Sequence, residues 1–234
     1  MAYAEILVHL DYSNGSPERL KAALALAKRT NAQVKGVALA LRSTMNTYLG
    51  ITLDNNFSAA QKNEVQLAAK KLIEEFEQAA QEAGVDMVSQ IIQCSATQAP
   101  AQLAFHARHA DIAVMGQPNP DHDSASYLEA LYEGVLFHSG RPIYLVPHYG
   151  RVDVTARRAV IAWDGGKKAG RALRDAIPLL RGRGKTTVLV INPENRRGSH
   201  GEKPGQDLAA YLELHGLEVD VAIISNQEVT PDTL

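Results

Sequence analysis

One cysteine, Cys94, stands among 234 residues, so no internal disulfide is possible and a reducing compartment is indicated. Long apolar runs are missing: none approaches the roughly 20 residues a membrane helix needs. The chain enters an apolar stretch at Ile6-Leu7-Val8 with no basic segment ahead of it, so no secretory leader is expected. Charge of one sign is also scarce. The formal net charge of −2 leaves no electrostatic footprint for nucleic acid or an acidic membrane surface. Neither Gly-x-Ser-x-Gly nor a Ser-His-Asp arrangement is present to support a nucleophilic hydrolase. These absences predict a cytoplasmic protein without nucleic-acid or membrane partners.

What the chain does contain, it contains twice. Residues 4–28 (AEILVHLDYSNGSPERLKAALALAK) and 158–182 (RAVIAWDGGKKAGRALRDAIPLLRG) each run from an apolar strand to an aspartate, Asp11 or Asp164, then through a Gly- or Ser-bearing loop into a helical pattern. With the aspartates superposed, Leu20, Ala23, Leu24 and Ala27 fall on Leu173, Ala176, Ile177 and Leu180. That spacing lays one apolar stripe along a helix. A strand that delivers an aspartate to the mouth of a helix is how open α/β sheets build ligand sites.

In order, the pattern predicts a strand at 4–10, a helix from Pro17 to about Arg29 capped by Ser16, and a strand at Gln33–Leu41. A long loop follows at 42–57. Ser58 with Gln61 makes a capping box for a helix lined by Val65, Ala69, Leu72, Phe76, Ala79 and Ala83 and stopped at Gly84. A strand at Asp86–Cys94, a helix at 98–109 and the apolar strand Asp111–Gly116 come next. The proline-rich loop QPNPDHDSAS leads into a helix with a second capping box, Ser126 with Glu129, and then the strand Ile143–Pro147. Alternating strands and helices imply right-handed crossovers and a parallel, doubly wound sheet. The domains expected are 1–148, five-stranded in the order 3-2-1-4-5, and 157–234, an incomplete second copy that stops after three strands. The apolar strand 159–163 would then be an open edge, which predicts an oligomer or a continuing chain that covers it.

The order and spacing of ILVHLD, DIAVMG at 111–116, RPIYLVP at 141–147 and AVIAWDGG at 159–166 resemble the universal stress protein family, as a tandem pair. The resemblance implies a stress-response binding or signalling role and pairing of the two domains. In its nucleotide-binding members the first-strand aspartate lies near the adenosine. Phosphates rest there on a loop patterned Gly-x-x-Gly, nine residues, Gly-Ser/Thr, where glycines and a helix N-terminus favour anions. The candidate cofactor-binding residues are thus Asp11, Gly116, Asn119 and Ser126 in the first copy and Asp164, Gly165 and Gly166 in the second. No catalytic residue or metal ligand is nominated, and the cofactor is left open, with ATP as the candidate.

The loop departs from the family pattern. Asn119 replaces the second glycine, and the Gly-Ser pair falls on Glu129-Ala130. Pro118 and Pro120 bring no N–H. Asp121, Asp123 and Glu129 would repel phosphates, unit charges at 4 Å costing about 1 kcal/mol in water and several-fold more near a protein surface. The expectation is a first domain that does not hold ATP tightly, and no enzyme. The alternative is an adenine-nucleotide-binding protein with slow ATPase activity, and the carboxylates would also suit a neutral or cationic ligand. GRGKTT at 182–187 lacks the first P-loop glycine and precedes a strand, so it reads as a turn. The eight histidines read as surface residues, Cys94 as a small buried hydrophobe and Trp163 as core.

Overall fold

The computed structural model describes residues 3–42, 55–150, 158–182, 184–195 and 203–225. The chain forms two compact units, Met1–Val154 and Thr155–Leu234.

The first unit alternates β1 (Glu5–Leu10), α1 (Ser16–Thr30), β2 (Gln33–Arg42), α2 (Asn55–Ala83), β3 (Met87–Ser95), α3 (Ala99–Ala107), β4 (Ile112–Gly116), α4 (Ala125–His138) and β5 (Ile143–Val146). Its five strands are parallel and ordered β3-β2-β1-β4-β5. The most apolar runs take the centre: Leu7, Val8 and Val114 are fully buried, with Val8 opposite Gly36 on one side and Val114 on the other. Asp111, in the turn before β4, accepts the backbone N–H groups of Ala4 and Glu5 at 2.7 and 3.1 Å. One carboxylate thereby pins the amino end of β1. Leu7, Val37, Ile92, Cys94, Leu103, Leu131 and Val135 form the core beneath α3 and α4. There burial pushes the Cys94 thiol up from its ordinary pKa.

Helix beginnings differ from the sequence expectation. The N-cap of α1 is Gly15, with Ser16 already helical. The turn closed by Ser16 N–H to Ser13 C=O winds straight on, and Gly15 C=O takes the N–H of Arg19. Likewise α4 is capped at Ser124 and starts at Ala125, so Ser126 lies inside the helix. The turn from Asn119 to His122 already coils into it. Helix α2 begins at Asn55, ahead of Ser58, so residues 55–57 of the expected loop are helical; residues 43–54 of that loop, and the side chains of the expected capping box, lie outside what the structure describes. Along α2, Ala69 and Phe76 of the expected stripe are buried, and Ala80 is buried where Ala79 was expected; Gly84 ends the helix at φ 64°.

The second unit runs β6 (Ala159–Ala162), α5 (Lys167–Leu180), β7 (Thr186–Ile191), a short 3-10 turn, α6 (Gln206–Leu214) and β8 (Val219–Ile224). Its parallel sheet is ordered β6-β7-β8. Leu173, Leu180, Val188, Val190, Leu208 and Leu212 make its core, with Trp163 packed against it. Within GRGKTT, Gly182 turns at φ 70°, and Lys185 pairs with Asp220 of the neighbouring strand at 2.5 Å. The lysine is therefore held at the sheet. Among the described residues no helix is long and apolar enough to cross a membrane.

Candidate functional site

Strand β1 delivers Asp11 to the carboxyl end of the sheet, and a local turn fixes it there. Its Oδ1 accepts the Ser13 N–H at 2.8 Å and the Ser13 hydroxyl at 2.5 Å. From the first turns of α1, Arg19 reaches back under this turn and is only 1% exposed. Its Nε donates to the carbonyl of His9 at 2.7 Å, and its Nη2 lies 2.7 Å from Asp11 Oδ1 as an ion pair. The pair is close but off the line of a hydrogen bond, which leaves Nη2 without a hydrogen-bond partner; Asp11 Oδ2 has none either, and both atoms are buried. His9, 3% exposed, places Nδ1 3.5 Å from Asp11 Oδ2.

The charges of this trio follow from their setting. Burial, then the Arg19 guanidinium, lowers His9 to a pKa of about 4 against the smaller opposing pull of Asp11. Burial by itself would raise Asp11, but Arg19, His9 and the two Ser13 bonds outweigh it and hold the carboxyl below its usual range. At neutral pH the site thus holds a neutral imidazole, a carboxylate and a guanidinium.

Gly116, the last residue of β4, is where it must be. A Cβ there would lie 2.4 Å from Arg19 Nη1, so glycine leaves the room that the guanidinium fills between β1 and β4. Arg19 then lines a cavity of about 130 Å³ together with Gly15, Gly116, Asn119, Ser124 and His148. Gly15 and Ser124 are the N-caps of α1 and α4, so two positive helix ends open on it. A second cavity of about 280 Å³ lies on the α1 and α2 side of the same turn, and Asp11 borders it. Tyr12 and Ser13 line both and partition them, with the Tyr12 hydroxyl donating to the Ala68 carbonyl of α2 at 2.6 Å.

Of the residues nominated from the sequence, the structure joins Asp11 and Gly116 through Arg19 and sets Asn119 on the same cavity. Asn119 Oδ1 accepts the Asp121 N–H at 3.1 Å. Ser126 is exposed on α4, outside the lining of either cavity. Glu129 and Ala130, where the family pattern places Gly-Ser, sit well inside that helix. In the second unit Asp164 Oδ1 accepts the Gly166 N–H at 2.8 Å, Gly165 adopts φ 71°, and Gly166 caps α5. His106 and His109 both pack edge-on to the exposed Phe105 ring. Sequence reasoning missed Arg19. The signal was present: Arg19, Ala22, Ala23 and Leu26 share the i, i+3, i+4, i+7 stripe that is buried.

Comparison with known proteins places this architecture. A universal stress protein from Archaeoglobus fulgidus DSM 4304 is similar over 95% of this chain and 77% of its own, with a TM-score of 0.71 at 20% identity. The fold is that of the universal stress proteins. The universal stress protein UspA from Lactobacillus plantarum is similar over 62% of this chain and 99% of its own (TM-score 0.49, 13% identity). A universal stress protein solved in complex with cAMP is similar over 62% and 98% (TM-score 0.45, 19% identity). No family model and no curated protein matches the sequence.

Proposed function

We propose that the chain is a ligand-binding, signalling module of the universal stress type whose first unit does not hold ATP tightly. One observation carries this reading: the Arg19 guanidinium pairs with Asp11 and packs on Gly116, occupying the two positions that the family resemblance assigns to the nucleotide. Asp11 is already neutralised, and its Oδ1 is taken by Ser13. The cavity that remains, about 130 Å³, is smaller than the roughly 300 Å³ at which organic ligand pockets begin. Pro118 and Pro120 withhold two N–H groups from the loop beside it. Calorimetry with ATP and Mg²⁺ is expected to give millimolar affinity or none, and a submicromolar constant would refute the proposal. Heating the purified protein and identifying any released small molecule tests for a resident ligand.

A second reading, an adenine-nucleotide-binding protein with slow ATPase activity, is favoured by the sign of that same cavity. A guanidinium and two helix N-termini suit an anion, and its volume suits a single phosphate better than three. AMP binding more tightly than ATP, or slow phosphate release from ATP that Arg19→Met abolishes, would favour it.

A further inference from the structure

We infer that strand β6 is a docking edge for a second copy of this chain: two second units pair β6 antiparallel to β6, and one continuous sheet crosses both. Among the described residues β6 pairs with β7 alone, so its other flank is open. Ala159 and Trp163 donate their N–H groups to the carbonyls of Lys185 and Leu189 at 3.2 and 2.9 Å. The alternation along a strand then turns the N–H and C=O groups of Val160 and Ala162 outward, to the open flank. Val160, in the middle of this edge, is 65% exposed. Proteins blunt such edges with charges or proline. The far edge of the same sheet does so, with Asp220 inside β8 paired to Lys185. Strand β6 reads Ala-Val-Ile-Ala and carries no such device.

The flanks of β6 identify the partner. Arg158 lies just before the strand and Asp164 just beyond it, and both are exposed. A two-fold axis through Ile161 sets Arg158 opposite Asp164 of the second copy, Val160 opposite its Ala162, and Ile161 opposite its own counterpart. The edge is thus complementary to itself in charge, as an isologous contact requires. The same register makes Val160 and Ala162 a hydrogen-bonded pair, the one their outward groups call for. Sliding by two residues keeps the hydrogen bonding but loses both ion pairs, since Arg158 then faces Ala162 or Gly166. Directly opposed residues share a face of the sheet, so Ile161 and Trp163, which pack on the core of each unit, join the two cores across the axis. A carboxylate accepts several bonds, so the Gly166 N–H on Asp164 Oδ1 leaves room for a guanidinium. A strand of 4 residues buries little surface, which makes this a weak, concentration-dependent dimer. The inference rests on the second unit alone and is independent of the reading about ATP.

The test is sedimentation velocity of the full chain across a concentration series, with circular dichroism on every variant to confirm folding. A monomer–dimer equilibrium in the micromolar range is expected. Val160→Pro removes an outward N–H at an edge that tolerates proline and should abolish the dimer. Arg158→Asp and Asp164→Arg should each weaken it about tenfold, the scale of two cross-strand ion pairs, and the two changes together should restore it. If Asp164→Arg does not fold, Ile161→Cys serves: the residue meets its counterpart at about 4.5 Å between Cα atoms, so mild oxidation should link two copies through that position. A chain that stays monomeric at every concentration, a dimer that survives Val160→Pro, or a double variant no tighter than the single ones would each overturn the inference. So would a monomer whose Val160 and Ala162 amides resist hydrogen exchange, because another segment of the same chain would then cover the edge.

Discussion

Arg19 and Asp11 depend on each other. Removing one partner of a buried pair leaves the other charged and desolvated, which costs about 3 kcal/mol or more. Arg19→Met is therefore expected to lower unfolding free energy by about 3 kcal/mol, with Asp11→Asn in the same chain recovering much of the loss; urea denaturation of the three proteins measures both. His9 adds a dependence on pH. Its folded pKa of about 4 lies below the ordinary 6.5, so between these values the unfolded chain binds a proton that the folded chain does not. Stability from this source is complete above pH 6.5 and is lost as pH falls toward 4, by about 3 kcal/mol at most. His9→Leu should flatten that slope, and denaturation curves at pH 7 and pH 4.5 would show it. The depressed Asp11 contributes in the acid range below, its share lost as the carboxyl protonates. Asp11 and Gly116 were legible as candidates because a strand end and a glycine carry positional meaning. Arg19 was not, because an arginine in the first turn of a helix reads as solvated until its stripe is compared with those of its neighbours.

Single glycines set how closely the elements pack. Gly36 of β2 lies under the ring of Phe76, and a Cβ would come within 2.7 Å of it. Gly134 of α4 meets Pro100 of α3 at 2.6 Å in the same sense. Neither neighbour can withdraw, Phe76 being fully buried and the Pro100 contact including backbone. Gly36→Ala and Gly134→Ala are each expected to cost about 1–3 kcal/mol by overpacking, read as a fall in thermal midpoint. Strands and helices themselves were legible, since apolar runs and the 3.6-residue stripe are imposed by burial. Their starting residues were less so. Turns at 13–16 and 119–122 wind directly into α1 and α4, and carry each N-cap to Gly15 and Ser124, upstream of the serines that looked best suited to the task.

The two units each possess a core, one grouped on Leu103 and Leu131 and the other on Leu173 and Leu212. Cores built separately need not melt together. Scanning calorimetry is expected to resolve two transitions, with Leu212→Asp removing one and leaving the other in place; a single transition lost as a whole would contradict this. The strand order at this scale was legible from the alternation of strand and helix, whereas the use of the crevice was not, because it depends on which side chain fills it. That order also has a consequence for synthesis on the ribosome. β1 pairs with β2 soon after both emerge, but its other flank waits for β4, whose partner residues begin at Ile112. At ~5–20 residues per second, the newborn chain presents that bare apolar flank for roughly 5–20 s, the interval in which a chaperone would have most to do.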